Sequence, residues 1–495
     1  MANKEQLAEP SQSHSAIDTP SLLPEIIEKI VGQLGEDYDE EDLDALYALR
    51  NCAVVSSVVR PFAQARLFAE ASIGNVKHCK MWNRKLNEAP HLVKHVRQLS
   101  LWGGHYEEDI DDEEIDLRLQ QLRFYNGFSL GMNRPISKFL SSDAFSELTI
   151  KLTHLQKLSV HRFHFRNQRE HAFSDRFPDV ERLGLDVALG SKEQLQALVL
   201  QKRRVHELHI VHVKYRKLLP IFPPEVERFH EAGLELQAWN PQLPPIRLHR
   251  LRVDNLEEET HVLMWLTGPA FDLTGLRTLG LMWGTNEAGV DKVALTAFLG
   301  AVSPYVTDLN ILSDGKYNGD SVSTALVESR LLDGFIALES LYIAAVHTRH
   351  SQWPHLASIA KIIPTLHASP LKVIMIGMFI DFDLSKNVQH LQSLQEWPTI
   401  DDSLSHTAFP SLRRVTILLK IQVITFYASR IHSKSCPTKE EIITAMRQAL
   451  PKLFRRGLLN VEVTLLKPMT TVDVGTNVFR KEMAEEEWLD SGSEL

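Results

Sequence analysis

The chain has 495 residues, 44% apolar and 24% charged, enough to fold for most of its length and too long for a single compact core, so roughly three domains or one long repeat array are expected. The charge sum, 54 − 63 = −9, with no visible segregation of basic residues, argues against a nucleic-acid partner. The longest apolar stretch, Val373 to Ile380, is far short of the roughly 20 residues that span a bilayer, and residues 1–20 contain no apolar signal segment, so no membrane partner is expected. Cys52, Cys79 and Cys436 cannot form a disulfide framework and no Asn-x-Ser/Thr acceptor occurs, which together point to the cytoplasm or nucleus.

In chain order, residues 1–20 mix Ser, Gln, Pro and charge with almost nothing bulky, and read as a disordered tail. SLLPEIIEKIVGQLG then places Ile26, Ile27, Ile30, Val31 and Leu34 on a helical stripe, with Pro24 tolerated in the first turn and Gly35 as the stop. A second helix is expected from about Asp42 through Leu43, Leu46, Leu49 and Cys52, running on past Val54 and Val55 until Pro61 forces a break and a restart. Residues 21–70 thus make a small all-helical module. Fifty residues build a marginal core, and such a module gains from burying an apolar face against a partner. Acidic runs start at Gly35 and Glu107, and another closes the chain; these read as solvated loops or tails.

From residue 96 a Leu-x-x-Leu-x-Leu pattern recurs, with Val, Ile or Phe also allowed. It begins at Val96, Leu155, Val180, Val205, Leu248, Leu276, Val306, Leu338, Leu371 and Leu412, with weaker copies at Val226 and Leu458. A short strand alternates its side chains, and each such unit can bury its apolar face only by stacking on neighbours. The expected fold class is α/β: the helical N-terminal module, a connecting region with a first irregular repeat and acidic insert over 71–154, a curved parallel repeat array over 155–467 with helices on its convex side, and an acidic tail over 468–495. Capping-box strings, Ser191 to Gln194 and Thr438 to Glu441, mark two of the helices between strands, and the segments Val293–Val302 and Leu356–Ile363 read as helical as well.

Three motifs invite a chemical reading. Gly127-Phe128-Ser129-Leu130-Gly131 matches the serine-hydrolase elbow, but Pro135 falls where the following helix should be established and no His-Gly-Gly oxyanion segment exists; a hydrolase using Ser129 is the remote alternative. His206, His209 and His212 lie on one repeat strand with no Cys or carboxylate cluster to complete a metal site. Gly315-Lys316 lacks the upstream glycine of a phosphate loop. No catalytic, cofactor or metal residues are therefore expected, and no enzyme activity.

The strings SLLPEIIEKIVGQL and ALRNCAVVSSVVRPFAQARLF resemble the F-box, a three-helix module that in its family docks on the Skp-type adaptor of cullin-RING ubiquitin ligases, and the wording is close to that of fungal members. Leu22 and Leu23 stand where that family usually has Leu-Pro, with Pro24 one place later, and Val59 takes the place of a tryptophan. The repeats are similar to the irregular leucine-rich repeats often found behind an F-box, although the Asn or Cys after the strand is replaced by Phe163, Ala188, Leu256, Gly284 and Phe379. The resemblance implies an SCF-type substrate-recognition adaptor acting in ubiquitin-dependent degradation. Leu22, Leu23, Pro24, Ile27, Ile30, Val31, Leu34, Val55 and Ser56 would face the Skp-type adaptor, and the repeats would hold an unknown target protein. A repeat scaffold without a ligase partner is the alternative.

Strand alternation turns the second, fourth and sixth residues after each leading Leu away from the core. On the early repeats these are mainly charged: Lys157, Arg182, Glu207, Arg250, Arg252 and Asp254, with His161, Asp186 and His209. On the later ones Met282, Leu312, Tyr342, Val373, Met375 and Leu418 make an apolar stretch expected to bind the target, unless a late loop or the tail around Phe479 to Trp488 folds over it.

Overall fold

The computed structural model describes residues 24–36, 43–103, 136–165, 170–189, 192–202, 204–215, 244–254, 260–283, 292–313, 326–327, 330–345, 354–383, 388–405, 409–425 and 438–470. The chain divides into two compact units, Met1–Ala69 and Glu70–Leu495.

The first unit holds α1 (Pro24–Glu36), α2 (Leu43–Val55) and α3 (Arg60–Leu67). Pro24 opens α1, where a missing N–H costs nothing, and Pro61 sits in the first turn of α3 for the same reason. Gly35 does not stop α1, which runs one residue further to Glu36. α2 ends at Val55, short of the expected continuation, because Ser56 turns the chain: its Oγ accepts from Val59 N at 3.3 Å and its carbonyl from Arg60 N at 2.9 Å. Ile27 and Val31, one turn apart, pack with Leu49 and Ala63 as the core of this unit, and Cys52, Ala53, Val59, Phe62 and Leu67 close around them.

The second unit is a mixed α/β structure around one parallel sheet of twelve strands. Its strands are β1 (Glu70–Ile73), β2 (Gln98–Trp102), β3 (Lys157–His164), β4 (Arg182–Leu189), β5 (Glu207–Tyr215), β7 (Arg250–Val253), β9 (Thr278–Trp283), β10 (Asp308–Ser313), β11 (Ser340–Ala345), β12 (Val373–Asp383), β13 (Arg414–Thr425) and β14 (Leu459–Thr470), and their order in the sheet is their order in the chain. β6 (Ile246–Arg247) and β8 (Phe271–Asp272) pair separately, also in parallel. Between the strands lie α4 (Val76–Glu88), α5 (Asp143–Lys151), α6 (Lys192–Leu200), α7 (Thr260–Leu266), α8 (Lys292–Val302), α9 (Pro354–Ile362), α10 (Val388–Gln392), α11 (Glu396–Ser405), α12 (Lys439–Ala449) and α13 (Pro451–Arg455).

One repeated hydrogen-bond step sets the register. The carbonyl just before a strand accepts from two successive N–H groups at the start of the next strand. Arg97 O takes Gln156 N and Lys157 N, Gln156 O takes Glu181 N and Arg182 N, and the same step recurs at Glu181, His206, His249, Arg277, Thr307, Glu339 and Lys372, all at 2.7–3.2 Å. Every apolar position of the ten strong Leu-x-x-Leu-x-Leu copies, from Val96 to Ile417, is at most 6% exposed. The final copy is weaker in structure as in sequence. β14 pairs only with β13, and Leu458 and Val461 are half-buried. The copy at Val226 lies outside the described residues. β1 carries no such pattern, only Ala71 and Ile73 facing inward, and was not expected.

The alternation slips where a bulge intervenes. In β3 the register shifts between His161 and Phe163, with Arg162 at φ 57°. The extra residue turns Phe163 and Phe165 into the core, where they stack at 5.7 Å, and Phe165 stacks in turn on Phe173. Gly103 makes the bulge possible. Its N–H bonds His161 O at 2.8 Å, and a Cβ there would stand 2.7 Å from Arg162 O. Close by in the same core lies Lys202, just after α6, which is fully buried and donates from Nζ to the Ser174 carbonyl. Burial pulls its ammonium down to about 8, against the opposing influence of Asp175.

Candidate interaction surface

No helix of the described residues is long and apolar enough to cross a membrane, and among those residues no cluster of His, Cys, Asp and Glu could hold a metal. Ser129 and Gly315-Lys316 lie outside the described residues, as do Leu22 and Leu23. His206 and His209 have different surroundings. The ring of His206 tilts against that of His249 at 5.6 Å, whereas His209 meets Asp254.

On the first unit, α1 presents two apolar pairs with different fates. Residues four apart stack on one helix face, and successive residues are turned by about 100°. Ile27 and Val31 therefore fill the core, while Ile26 and Ile30 point outward, 44% and 49% exposed. Tyr47, Val54 and Val58 are also exposed. Pro24 is exposed and Ser56 half-buried. The side chains of Leu34 and Val55 are not among those described.

On the second unit, register aligns the non-core positions of the strands into three rows across one face of the sheet. The first contains Gln98, Lys157, Arg182, Glu207, Arg250, Thr278, Asp308, Ser340, Val373 and Arg414; the second Ser100, Ser159, Gly184, His209, Arg252, Gly280, Asn310, Tyr342, Met375 and Thr416. The third holds Trp102, His161 and Asp186 early, then Met282, Leu312, Ala344, Gly377 and Leu418. The strand-alternation reading thus collects Met282, Leu312, Tyr342, Met375 and Leu418 on one face. Met282, Leu312, Tyr342 and Ala344 form a packed cluster only 1–6% exposed, and Met375 and Leu418 lie against it, partly buried. Gly377 is what lets the Tyr342 ring lie across its neighbour strand: a Cβ at 377 would come within 2.7 Å of the phenolic oxygen. Val373 is buried at the row's edge.

Where the apolar stretch meets the polar strands, charge is buried. Arg252 donates from Nε to Asp254 Oδ1 at 2.8 Å and from Nη2 to Oδ2 at 3.3 Å, and His209 Nε2 lies 3.0 Å from Oδ2. Burial works against ionisation of Asp254, yet the charges and hydrogen bonds of Arg252 and His209 hold its carboxyl well below the usual carboxylate range. Beside this network Glu207 stands 3.8 Å from Arg250 and 3.9 Å from His206. Sequence reasoning placed Glu207, His209, Arg250, Arg252 and Asp254 on this face but not their mutual pairing, because that depends on which strands become neighbours. Earlier on the face, Trp102 stacks on His161 with ring centroids 4.2 Å apart and donates from Nε1 to Ser72 Oγ at 3.1 Å. Ser100 donates from Oγ to Glu70.

The face therefore has two characters, an apolar stretch already packed within the second unit and a polar stretch of half-buried charged and aromatic side chains. Comparison with known proteins gives no matching family model and no matching curated protein.

Proposed function

We propose that the chain is a substrate-recognition adaptor of a cullin-RING ubiquitin ligase, in which the helical first unit is an F-box that docks on a Skp-type adaptor. The observation that carries this reading is the split of the α1 stripe. A three-helix unit that already uses Ile27 and Val31 for its own core still exposes Ile26, Ile30, Val54 and Val58, apolar area that a monomer gains little by leaving in water. Docking then runs through Pro24, Ile26 and Ile30 and the end of α2 around Val55 and Ser56, with Ile27 and Val31 supporting the helix from behind. In the same reading the sequential parallel sheet is a leucine-rich-repeat-like solenoid, and the face opposite its Leu positions holds the target protein. Adaptor and ligase partners of this kind work in the cytoplasm and nucleus, in keeping with the cysteine content.

The test is capture of purified Skp-type adaptor by the full chain and by the double variant Ile26→Asp/Ile30→Asp. Both side chains are outside the core, so the variant keeps its helical signal, and we expect capture to be lost. Capture at the wild-type level by a folded double variant would remove the adaptor assignment and leave a repeat scaffold without a ligase partner.

A further inference from the structure

The twelve-stranded sheet ends on an uncovered strand. β14 pairs with β13 alone, and its inward positions are more exposed than the positions they cover: Val463 8% against 1% for Leu419, and Leu465 40% against 1% for Ile421. The other outermost strand, β1, is four residues long and buries Ala71 and Ile73 completely, whereas β14 has twelve residues. The Leu458 carbonyl accepts from Val415 N at 2.8 Å, so strand alternation turns the N–H and C=O groups of Val461, Val463 and Leu465 away from β13, to the open side. A long open edge is a template for another strand, and the last unit of a stacked array needs a cover.

Just ahead of β14, the helices α12 and α13 present an aromatic ring among cations. Phe454 is 47% exposed, and the Arg447 guanidinium lies over its ring, 5.2 Å from the centroid. Arg447 and Arg455 are exposed and neither meets a carboxylate among the described residues, whereas Lys452 beside them is paired with Asp402. The sequence after β14 is complementary to this end. Residues 471–495 lie outside the described residues, but Val472 and Val474 continue an apolar alternation, Gly475-Thr476 has the composition of a two-residue hairpin turn, and Val478 to Leu489 make twelve residues, the length of β14. A strand returning antiparallel from such a turn brings its last residues to the start of β14. Those residues are Glu485, Glu486, Glu487 and Trp488, opposite in charge to Arg447 and Arg455 and suited to packing on Phe454.

We propose that residues 478–489 of this chain cap the sheet by pairing as an antiparallel strand along the open edge of β14. Their backbone meets the outward N–H and C=O groups of Val461, Val463 and Leu465, Trp488 packs on Phe454, and Glu485 to Glu487 face Arg447 and Arg455. Tethering at Thr470 gives this segment an effective concentration of the order of millimolar, so it takes the edge ahead of a second copy or a partner protein. The cap occupies the end of the sheet, not the face assigned to the target, and is independent of adaptor docking.

Residue-resolved hydrogen exchange on the full-length protein tests the cap. We expect the amides of Val461, Val463 and Leu465 to be protected to a degree that does not change with protein concentration, and Trp488→Asp to speed their exchange at least about tenfold while β10 to β12 stay protected, which shows that the variant is folded. Arg447→Glu/Arg455→Glu, which leaves the segment itself intact, should open the same three amides. Adding Glu485→Lys/Glu486→Lys/Glu487→Lys to that variant should close them again, because the charges are then exchanged across the contact. Unprotected amides in the wild type, exchange unchanged by Trp488→Asp, or no recovery with the charges exchanged would each overturn the proposal. Protection that grows with protein concentration alongside a dimer mass would give the edge to a second copy and overturn it as well.

Discussion

Lys202 has the most unusual environment of any single residue in the described chain. A fully buried ammonium whose Nζ reaches one carbonyl gives up its proton more easily than a solvated lysine, and its value near 8 contrasts with 10.5 for the ordinary side chain. Between those two values the unfolded chain binds more protons than the folded one, so stability rises with pH across that window and is lowest below it. A shift of that size corresponds to a rise of ~3 kcal/mol. Urea unfolding of the wild type and of Lys202→Met at pH 8 and at pH 10.5 should show the variant's advantage shrinking by an amount of this order as the pH rises. An advantage that does not change with pH would mean that the folded protein holds this amine charged as usual. Nothing near Lys202 in the sequence foretells its burial, because the Ser174 carbonyl that receives it is brought there by folding, from a position 28 residues away.

Among elements, α12 follows its sequence closely and β3 does not. Thr438 caps α12 with its hydroxyl accepting from Glu441 N at 3.2 Å, and Glu441 Oε2 accepts in return from Thr438 N at 2.8 Å. Thr438→Ala should cost about 0.5–2 kcal/mol, seen as faster hydrogen exchange of the first-turn amides of α12 while the amides of β11 keep their protection. Unchanged exchange in that turn would mean the box contributes nothing. This box was readable because all of its chemistry lies within four residues, and the same holds for Pro61 opening α3 and for the buried Leu pattern. The bulge in β3 was not readable. Arg162 takes a left-handed conformation without being glycine, and the residue that accommodates it, Gly103, lies just past the end of the neighbouring strand β2. For the candidate surface, alternation along single strands correctly grouped the polar and apolar rows, but the Arg252–Asp254–His209 pairing and the close packing of Met282, Leu312 and Tyr342 arise between strands and have no local signature. The split of α1 into inward Ile27 and Val31 and outward Ile26 and Ile30 belongs in the same class, since periodicity gives the stripe while α2 and α3 decide which half of it is covered.

At the scale of the second unit, what matters is that the strands lie in the sheet in the order in which they occur in the chain, and from β2 to β13 each is joined to the next by the same pair of bonds to one carbonyl. Long insertions between strands leave that step intact: β5 and β7 keep it at His206 although residues 216–243 intervene. Such a sheet has no strand that must be threaded between two others, and most of its contacts join neighbours along the chain. This arrangement has a mechanical consequence. Tension applied between residues 70 and 470 pulls across the strands and loads the ladder one rung at a time, so the sheet is expected to peel from an end. With spacings of 25 to 43 residues between successive strong copies after Leu155, each event would lengthen the tether by about 80 to 150 Å in an optical trap. A single rupture releasing the whole sheet would mean that the twelve strands act as one block, and a staircase would mean that the protein yields to force as a ribbon of separable hinges.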